Sequence, residues 1–262
     1  MQRINGVQYK RKVLSDSKFV DNTIFTGCIF EGCNLSEYRF TNCAFEDCIF
    51  TKCSFKKAFL AINKGYSGGK FLRCVFIDCN FKAASFGFPE IDHCEFRNCE
   101  LNETNFDGSR FSHTSFTGEL DSCFFYGHAI YITKPLLSFS KFDVSKYPNE
   151  MIQVDFSQAK LIGNFFSHGI DLRNCIFPQG EDYLFVPDLR RTMSKAIEFI
   201  RTNWPGGREK EVALGLVDMV YFTKDMQTQP NGFYDALLAR ESDQEDGTDL
   251  MMRVFALIKS FS

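Results

Sequence analysis

The residues of this chain best equipped for chemistry are its eleven cysteines and four histidines. Thiolates two to four residues apart would hold zinc, paired thiols in an oxidising compartment would form disulfides, and a thiol beside an imidazole would be a nucleophile. The spacing speaks first for something else. Cys28, Cys33, Cys43, Cys48, Cys53, Cys74, Cys79, Cys94, Cys99, Cys123 and Cys175 each stand two positions before a phenylalanine or leucine. Cysteines twenty apart, such as Cys28 with Cys48 or Cys74 with Cys94, would stack with parallel rather than converging Cβ directions, which is poor geometry for a bond. The favoured reading is a thiol packed as a small hydrophobe in a reducing compartment, with zinc and disulfide as alternatives. Of the histidines, His93 and His113 are also twenty apart and should point outward on one side. Two imidazoles begin a metal site. The sequence shows no third ligand, so solvated surface histidine is the favoured reading.

The elements that must position these residues have a period of five, which is neither helical nor that of a simple strand. Phe25, Phe30, Leu35, Phe40, Phe45, Phe50, Phe55 and Leu60 form one run, and Phe71 to Phe116 carries a second with a bulky apolar residue at every fifth position. A shorter third run reads Phe156, Leu161, Phe166, then slips by one to Leu172 and Phe177. A pattern of two positions in and three out suits a coil with flat sides about five residues long. Four sides make about 20 residues, and successive coils stack as parallel strands about 4.8 Å apart.

The units Cys-Asn-Leu-Ser-Glu (33–37), Cys-Asn-Phe-Lys-Ala (79–83) and Thr-Asn-Phe-Asp-Gly (104–108) carry a resemblance to the pentapeptide-repeat family. The resemblance covers about residues 25 to 177 and implies a mainly β fold, a right-handed quadrilateral β-helix of about seven coils. The expected organisation is an N-terminal cap over 1–24, the β-helix over 25–177 and a C-terminal α-helical capping or interaction domain over 178–262. Excursions are expected near 61–70 and 117–154, where the register of five is lost. GYSGGKF (65–71) lacks the glycine and the Ser or Thr that a phosphate-binding loop needs. The excursion at 61–70 is read as a flexible loop or as a partner-contacting one.

After Phe177 helical spacing begins. Leu189, Met193, Ala196, Ile197 and Ile200 share a helix face that Pro187 and Asp188 could start and WPGG (204–207) would end. A second helix over 208–224 is apolar on most sides and should be central. Asn231 could cap a short third helix running to Leu238, and a last helix carries Leu250, Val254, Phe255, Ile258 and Phe261. These five are the expected capping or dimer residues, since a stacked rod must cover its open ends and members of the resembled family commonly dimerise through C-terminal helices. Residues 178–262 contain neither Cys nor His, which excludes a thiol nucleophile or a histidine triad there. No catalytic residue, metal or cofactor is expected.

The formal charge is −3, and residues 25–177 hold 17 acids against 15 bases. That balance makes direct nucleic-acid binding unexpected, and no apolar run is long enough to cross a membrane. The charges are banded: Lys52 to Lys82 has seven bases and one acid, and Glu90 to Asp107 has six acids and one base. A banded rod suits a protein partner, with Glu95, Glu100, Glu103, Asp107, Lys64, Tyr66 and Lys70 as candidate contacts. Some pentapeptide-repeat proteins bind type II topoisomerases in place of DNA, and the resemblance implies that partner here as the specific case. A secreted bacterial effector docking a host protein and an enzyme in the helical part are the alternatives. The opening MQRINGVQYKRK carries no signal-peptide core, so a bacterial cytoplasm is the expected location.

Overall fold

A computed structural model describes residues 1–62, 69–130, 147–221, 228–236 and 245–262. Successive five-residue steps fall on four sides of a coil. The first side is a parallel sheet of six strands, from Gln2–Asn5 to Arg110–Ser112. The second has seven, from Gln8–Lys10 to Asp155–Ile162, and the fourth has seven, from Phe19–Asp21 to Phe165–Ser167. The third side is joined by single bridges, Asn34 to Ser54 to Asn80 to Glu100. This is the right-handed quadrilateral β-helix expected from the repeat.

Register follows the sequence period. Phe25 lies opposite Phe45, Phe71 opposite Ile91, and Ile91 opposite Phe111. The excursion after Ile62 lengthens one coil, so Phe45 pairs with Phe71 and Phe50 with Phe76. Lys64 and Tyr66 lie outside the described residues. The second excursion is narrower than 117–154: Ser115–Asp121 pairs with Asp155–Ile162, placing Leu120 on Leu161, and Phe125 pairs with Phe166. The segment 1–24 is itself a coil, with Ile4 opposite Phe25, Tyr9 opposite Phe30 and Val20 opposite Phe40.

The interior is an aromatic lattice. On the second side Phe30, Phe50, Phe76, Phe96 and Phe116 stack with centroids 4.5 to 4.9 Å apart. Between sides the rings meet edge to face, as Phe45 and Phe50 do at 5.5 Å and 70°. Both geometries suit the ring quadrupole. All eleven cysteines are free and ten are buried. Each thiol in the regular coils donates to a backbone carbonyl of the coil before it: Cys48 to Phe25 O at 3.4 Å, Cys94 to Phe71 O at 3.2 Å. Thr104 and Thr114 use the same slot and the same bond, to Phe81 O and Ile91 O. The slot therefore selects a small residue, and one with a weak donor uses it best.

In the regular coils the corners turn on residues with left-handed backbone, two places after the centre: Gly27, Gly32, Asn42, Asp47, Lys52, Arg73, His93 and His113 have φ between 48 and 61°. For a non-glycine residue that conformation costs about 1–2 kcal/mol. It is offset by the corner N–H, which donates along the stack, as Lys52 N does to Ile77 O at 2.9 Å.

Among the described residues three helices follow: α1 (Leu189–Asn203), α2 (Arg208–Tyr221) and α3 (Glu245–Phe261). Asp188 caps α1 by accepting from Arg191 N, and α1 ends at Trp204. The second helix is not enclosed as its composition suggested: Ala213 and Val217 are buried but Val212 is 44% exposed, and among the described residues its main covers are α1 and α3. The expected third helix at Asn231 is instead a strand, Gly232–Asp235, antiparallel to Tyr183–Val186. Alternation explains the difference. Asn231, Phe233 and Asp235 face the rod, while Tyr234 joins the helical core. On the partner strand Tyr183 and Phe185 pack on the rod, and Leu184 and Val186 on the helices. This strand pair, rather than a helix, closes the rod.

Candidate functional site

With the interior filled by rings, the groups able to act are outward ones. Each side has two outward positions flanking its centre, and each corner has one more. Strict register stacks equivalent positions into columns along the rod. Ten of the thiols are buried, and burial pushes Cys43 up to about 11 and Cys175 up to about 12, far from a reactive thiolate.

The charged bands neutralise one another where coils meet. Lys10 pairs with Glu31 at 3.0 Å, Lys18 with Glu37 at 2.8 Å, Arg73 with Asp47 at 2.6 Å and Lys70 with Glu90 at 3.0 Å. Lys70, expected as a partner contact, is thus held by Glu90. The expected acidic contacts do not form one patch. Glu95 is on the second side, bonded to Arg97 at 2.7 Å. Glu100 is on the third side, bonded to Asn80, and Glu103 is at the next corner. Asp107 was expected at the surface, but it is 7% exposed and accepts from Ile130 N at 2.8 Å. There the chain leaves regular coil, and a carboxylate supplies the acceptor that a backbone carbonyl supplies elsewhere.

The surface that sequence reasoning passed over lies on the fourth side. Phe19, Arg39 and Phe59 occupy one outward column. Phe19 is 43% and Phe59 44% exposed, and the Arg39 guanidinium sits 5.1 Å from the Phe59 ring centroid. Lys57 stands exposed at the adjoining corner, with Lys56 beside it. On the opposite, second side Ile29, Ile49 and Val75 form an outward apolar column. The signal was available: Phe19, Phe59, Phe124 and Phe165 each fall one place before a ladder residue. A phenylalanine out of phase with the five-residue ladder must face outward.

Near the far end of the first side a surface groove of about 290 Å³ is lined by Glu90, Arg110, Ser112, Tyr147 and Glu150 among others. Arg110 lies 5.7 Å from the Tyr147 ring centroid. Beside it, at the corner, the Asp92 carboxylate gathers three donors on one oxygen: Ser112 Oγ at 2.6 Å, His93 Nδ1 at 2.9 Å and His113 Nδ1 at 3.3 Å. Burial alone would raise Asp92, but the Ser112, His93 and His113 hydrogen bonds outweigh it and hold the carboxyl below its usual value. The residue before His93 thus brings a carboxylate to both imidazoles, which the sequence did not reveal.

In the helical part, Val254 and Ile258 are buried, and Leu250, Phe255 and Phe261 pack partly buried against the same core. The residues expected to cap the rod or join two copies are engaged with α1 and α2. Among the described residues no helix is long and apolar enough to cross a membrane.

Two blocks of the chain, residues 28–60 and 79–118, match the family model of pentapeptide repeats, in eight copies. Among solved structures the chain aligns with a pentapeptide repeat protein, Rfr23, from the cyanobacterium Cyanothece 51142, at 13% identity over 43% of this chain and 86% of that one, TM-score 0.37. It aligns with full-length QnrB1, a plasmid-mediated fluoroquinolone resistance protein, at 14% identity over 63% and 91%, TM-score 0.19. It also aligns with HetL, a pentapeptide repeat protein involved in heterocyst differentiation regulation from the cyanobacterium Nostoc sp. strain PCC 7120, at 10% identity over 68% and 92%, TM-score 0.22. No curated protein matches the chain.

Proposed function

We propose that this pentapeptide-repeat protein is a non-catalytic, protein-binding rod whose contact surface is the outward column Phe19–Arg39–Phe59. The observation that carries the reading is the exposure of two phenylalanines around an arginine on a rigid strand surface. Aromatic and arginine side chains dominate binding energy at protein interfaces, and a pre-ordered surface loses little entropy on docking. Lys56 and Lys57 beside the column make an acidic protein surface its fitting partner. Absence of Cys and His from residues 178–262 and burial of the rod's thiols support a role without catalysis.

The finer reading, occupation of a type II topoisomerase in place of DNA, requires a dense anionic face, because duplex DNA carries a charge about every 1.7 Å. Glu31, Glu37, Asp47 and Glu90 are each paired with a base, so part of the rod's acidic surface is already neutralised by its own chain. The test compares two variants as baits: Phe59→Ser with Arg39→Glu, and Glu95, Glu100 and Glu103 all changed to Lys. A gyrase supercoiling assay runs beside the pull-down. We expect one partner to be lost with the first variant and retained by the second, with supercoiling unaffected. Gyrase inhibition abolished only by the acidic triple would replace this reading with the topoisomerase one.

A further inference from the structure

We propose that Asp92, His93 and His113 form a binding site for a divalent transition-metal ion, with Zn²⁺ as its natural probe. Their candidate donor atoms all lie within 4.8 Å of one another, and they are the group of this kind found among the described residues. Two imidazoles and a carboxylate are a donor set suited to Zn²⁺, Ni²⁺ or Cu²⁺.

The fold builds the arrangement from the coil period. Asp92 and Ser112 occupy the same outward position in paired strands of the first side. His93 and His113 are the next residues, both in the left-handed corner conformation with φ of 51 and 48°. Identical backbone geometry aims both imidazoles the same way, with ring centroids 4.3 Å apart. The backbone thus brings the ligands together before any ion arrives, which lowers the entropy cost of binding.

The distances fit. At a metal–nitrogen length of about 2.0–2.1 Å, tetrahedral donors stand about 3.3 Å from each other. Asp92 Oδ1 is 2.9 Å from His93 Nδ1 and 3.3 Å from His113 Nδ1. The rings are 18° from parallel, so an ion shared by both requires one imidazole to turn about its χ2 bond. His93, whose side chain is 56% exposed, is free to do so. The Ser112 hydroxyl bonded to Asp92 at 2.6 Å is the outer partner that orients a ligating carboxylate. Three ligands at an exposed corner leave the remaining coordination positions to solvent or to an exogenous donor. The site would therefore be an open one.

The test is calorimetric titration of the full chain with Zn²⁺, repeated for His93→Asn with His113→Asn, for Asp92→Asn and for Ser112→Ala. Asparagine tolerates the left-handed corner, so the double variant should keep its fold. Its metal-free melting curve checks this, and the single Asp92→Asn change gives a second, milder removal of a ligand. Co²⁺ absorption separates imidazole and carboxylate ligation from thiolate ligation, which would add intense charge-transfer bands. The expected result is one ion per chain without thiolate bands. Binding should be abolished in the double variant and in Asp92→Asn, and about tenfold weaker in Ser112→Ala. No saturable binding, binding that survives the loss of both histidines, or thiolate bands would each overturn the proposal.

Discussion

Phe233 lies flat on Phe177, with ring centroids 4.1 Å apart and planes 11° from parallel. It extends the second side's aromatic column, which runs from Tyr9 on Phe30 through Phe116 on Phe156 and Phe156 on Phe177. A strand from beyond the repeats thus places the last ring of the ladder. Cutting Phe233 to alanine should cost about 3–5 kcal/mol through the cavity and the exposed face of Phe177. Urea unfolding followed by circular dichroism reads this directly. A loss below about 1 kcal/mol would mean that the ladder does not depend on its closing ring.

The same segment closes the hydrogen-bonding edge. Gln229 Oε1 accepts from Gly169 N and Ile170 N, both at 3.1 Å, and Gln229 Nε2 donates to Ile170 O at 2.7 Å. Asn231 Oδ1 accepts from Leu172 N at 2.9 Å. Side-chain amides here stand in for the backbone of a coil that does not follow. Gln229→Leu should cost about 1–3 kcal/mol for each amide left buried and unpaired. Gln229→Glu should cost at least as much, because its buried carboxylate would set a charged acceptor against the Ile170 and Asn231 carbonyls that the amide now serves. A loss below about 1 kcal/mol in both variants would show that these hydrogen bonds do not hold the edge.

The rod was legible in the sequence because a period of five with a small residue two places before each centre has few physical solutions. Leu120 and Met151 were not legible, because a four-residue step and a long excursion break the count there. The closing strand was misread as a helix because Asn231 resembles a cap, and its alternation shows only against two cores, one on each face. Phe59 could have been read as outward from its phase alone. Asp92 could not, because a carboxylate shared by two corner histidines depends on a side-chain direction that spacing does not encode.

Lys52 tests the corner geometry. It is exposed with φ of 53°, in a corner that Gly32 occupies one coil earlier. Lys52→Gly should stabilise the rod by up to about 1 kcal/mol, relief of the left-handed strain exceeding glycine's greater unfolded freedom. Lys52→Val should destabilise it, because a β-branched side chain fits that conformation worst. Thermal melts of the three proteins should order as Gly above Lys above Val. Any order with Val above Lys would remove the corner strain from the account.

Thiol burial sets the alkaline limit. Burial raises Cys43 to about 11 and Cys175 to about 12, from a reference of 9.0. A folded-state value above the unfolded one means that the unfolded chain releases its proton first as pH rises. The thiols' contribution is therefore complete below about pH 9 and is lost as pH climbs toward 11 to 12. Each thiol ionised only in the unfolded chain lowers stability by about 1.4 kcal/mol per pH unit in that window. Unfolded tyrosines begin to ionise in the same range, so the comparison with a cysteine variant is what isolates a thiol. Urea midpoints should fall steeply there, and less steeply in a Cys43→Thr variant, which offers the same slot the hydroxyl used by Thr104 and Thr114. A flat stability profile from pH 8 to 10 would show that the thiols ionise as readily in the rod as outside it.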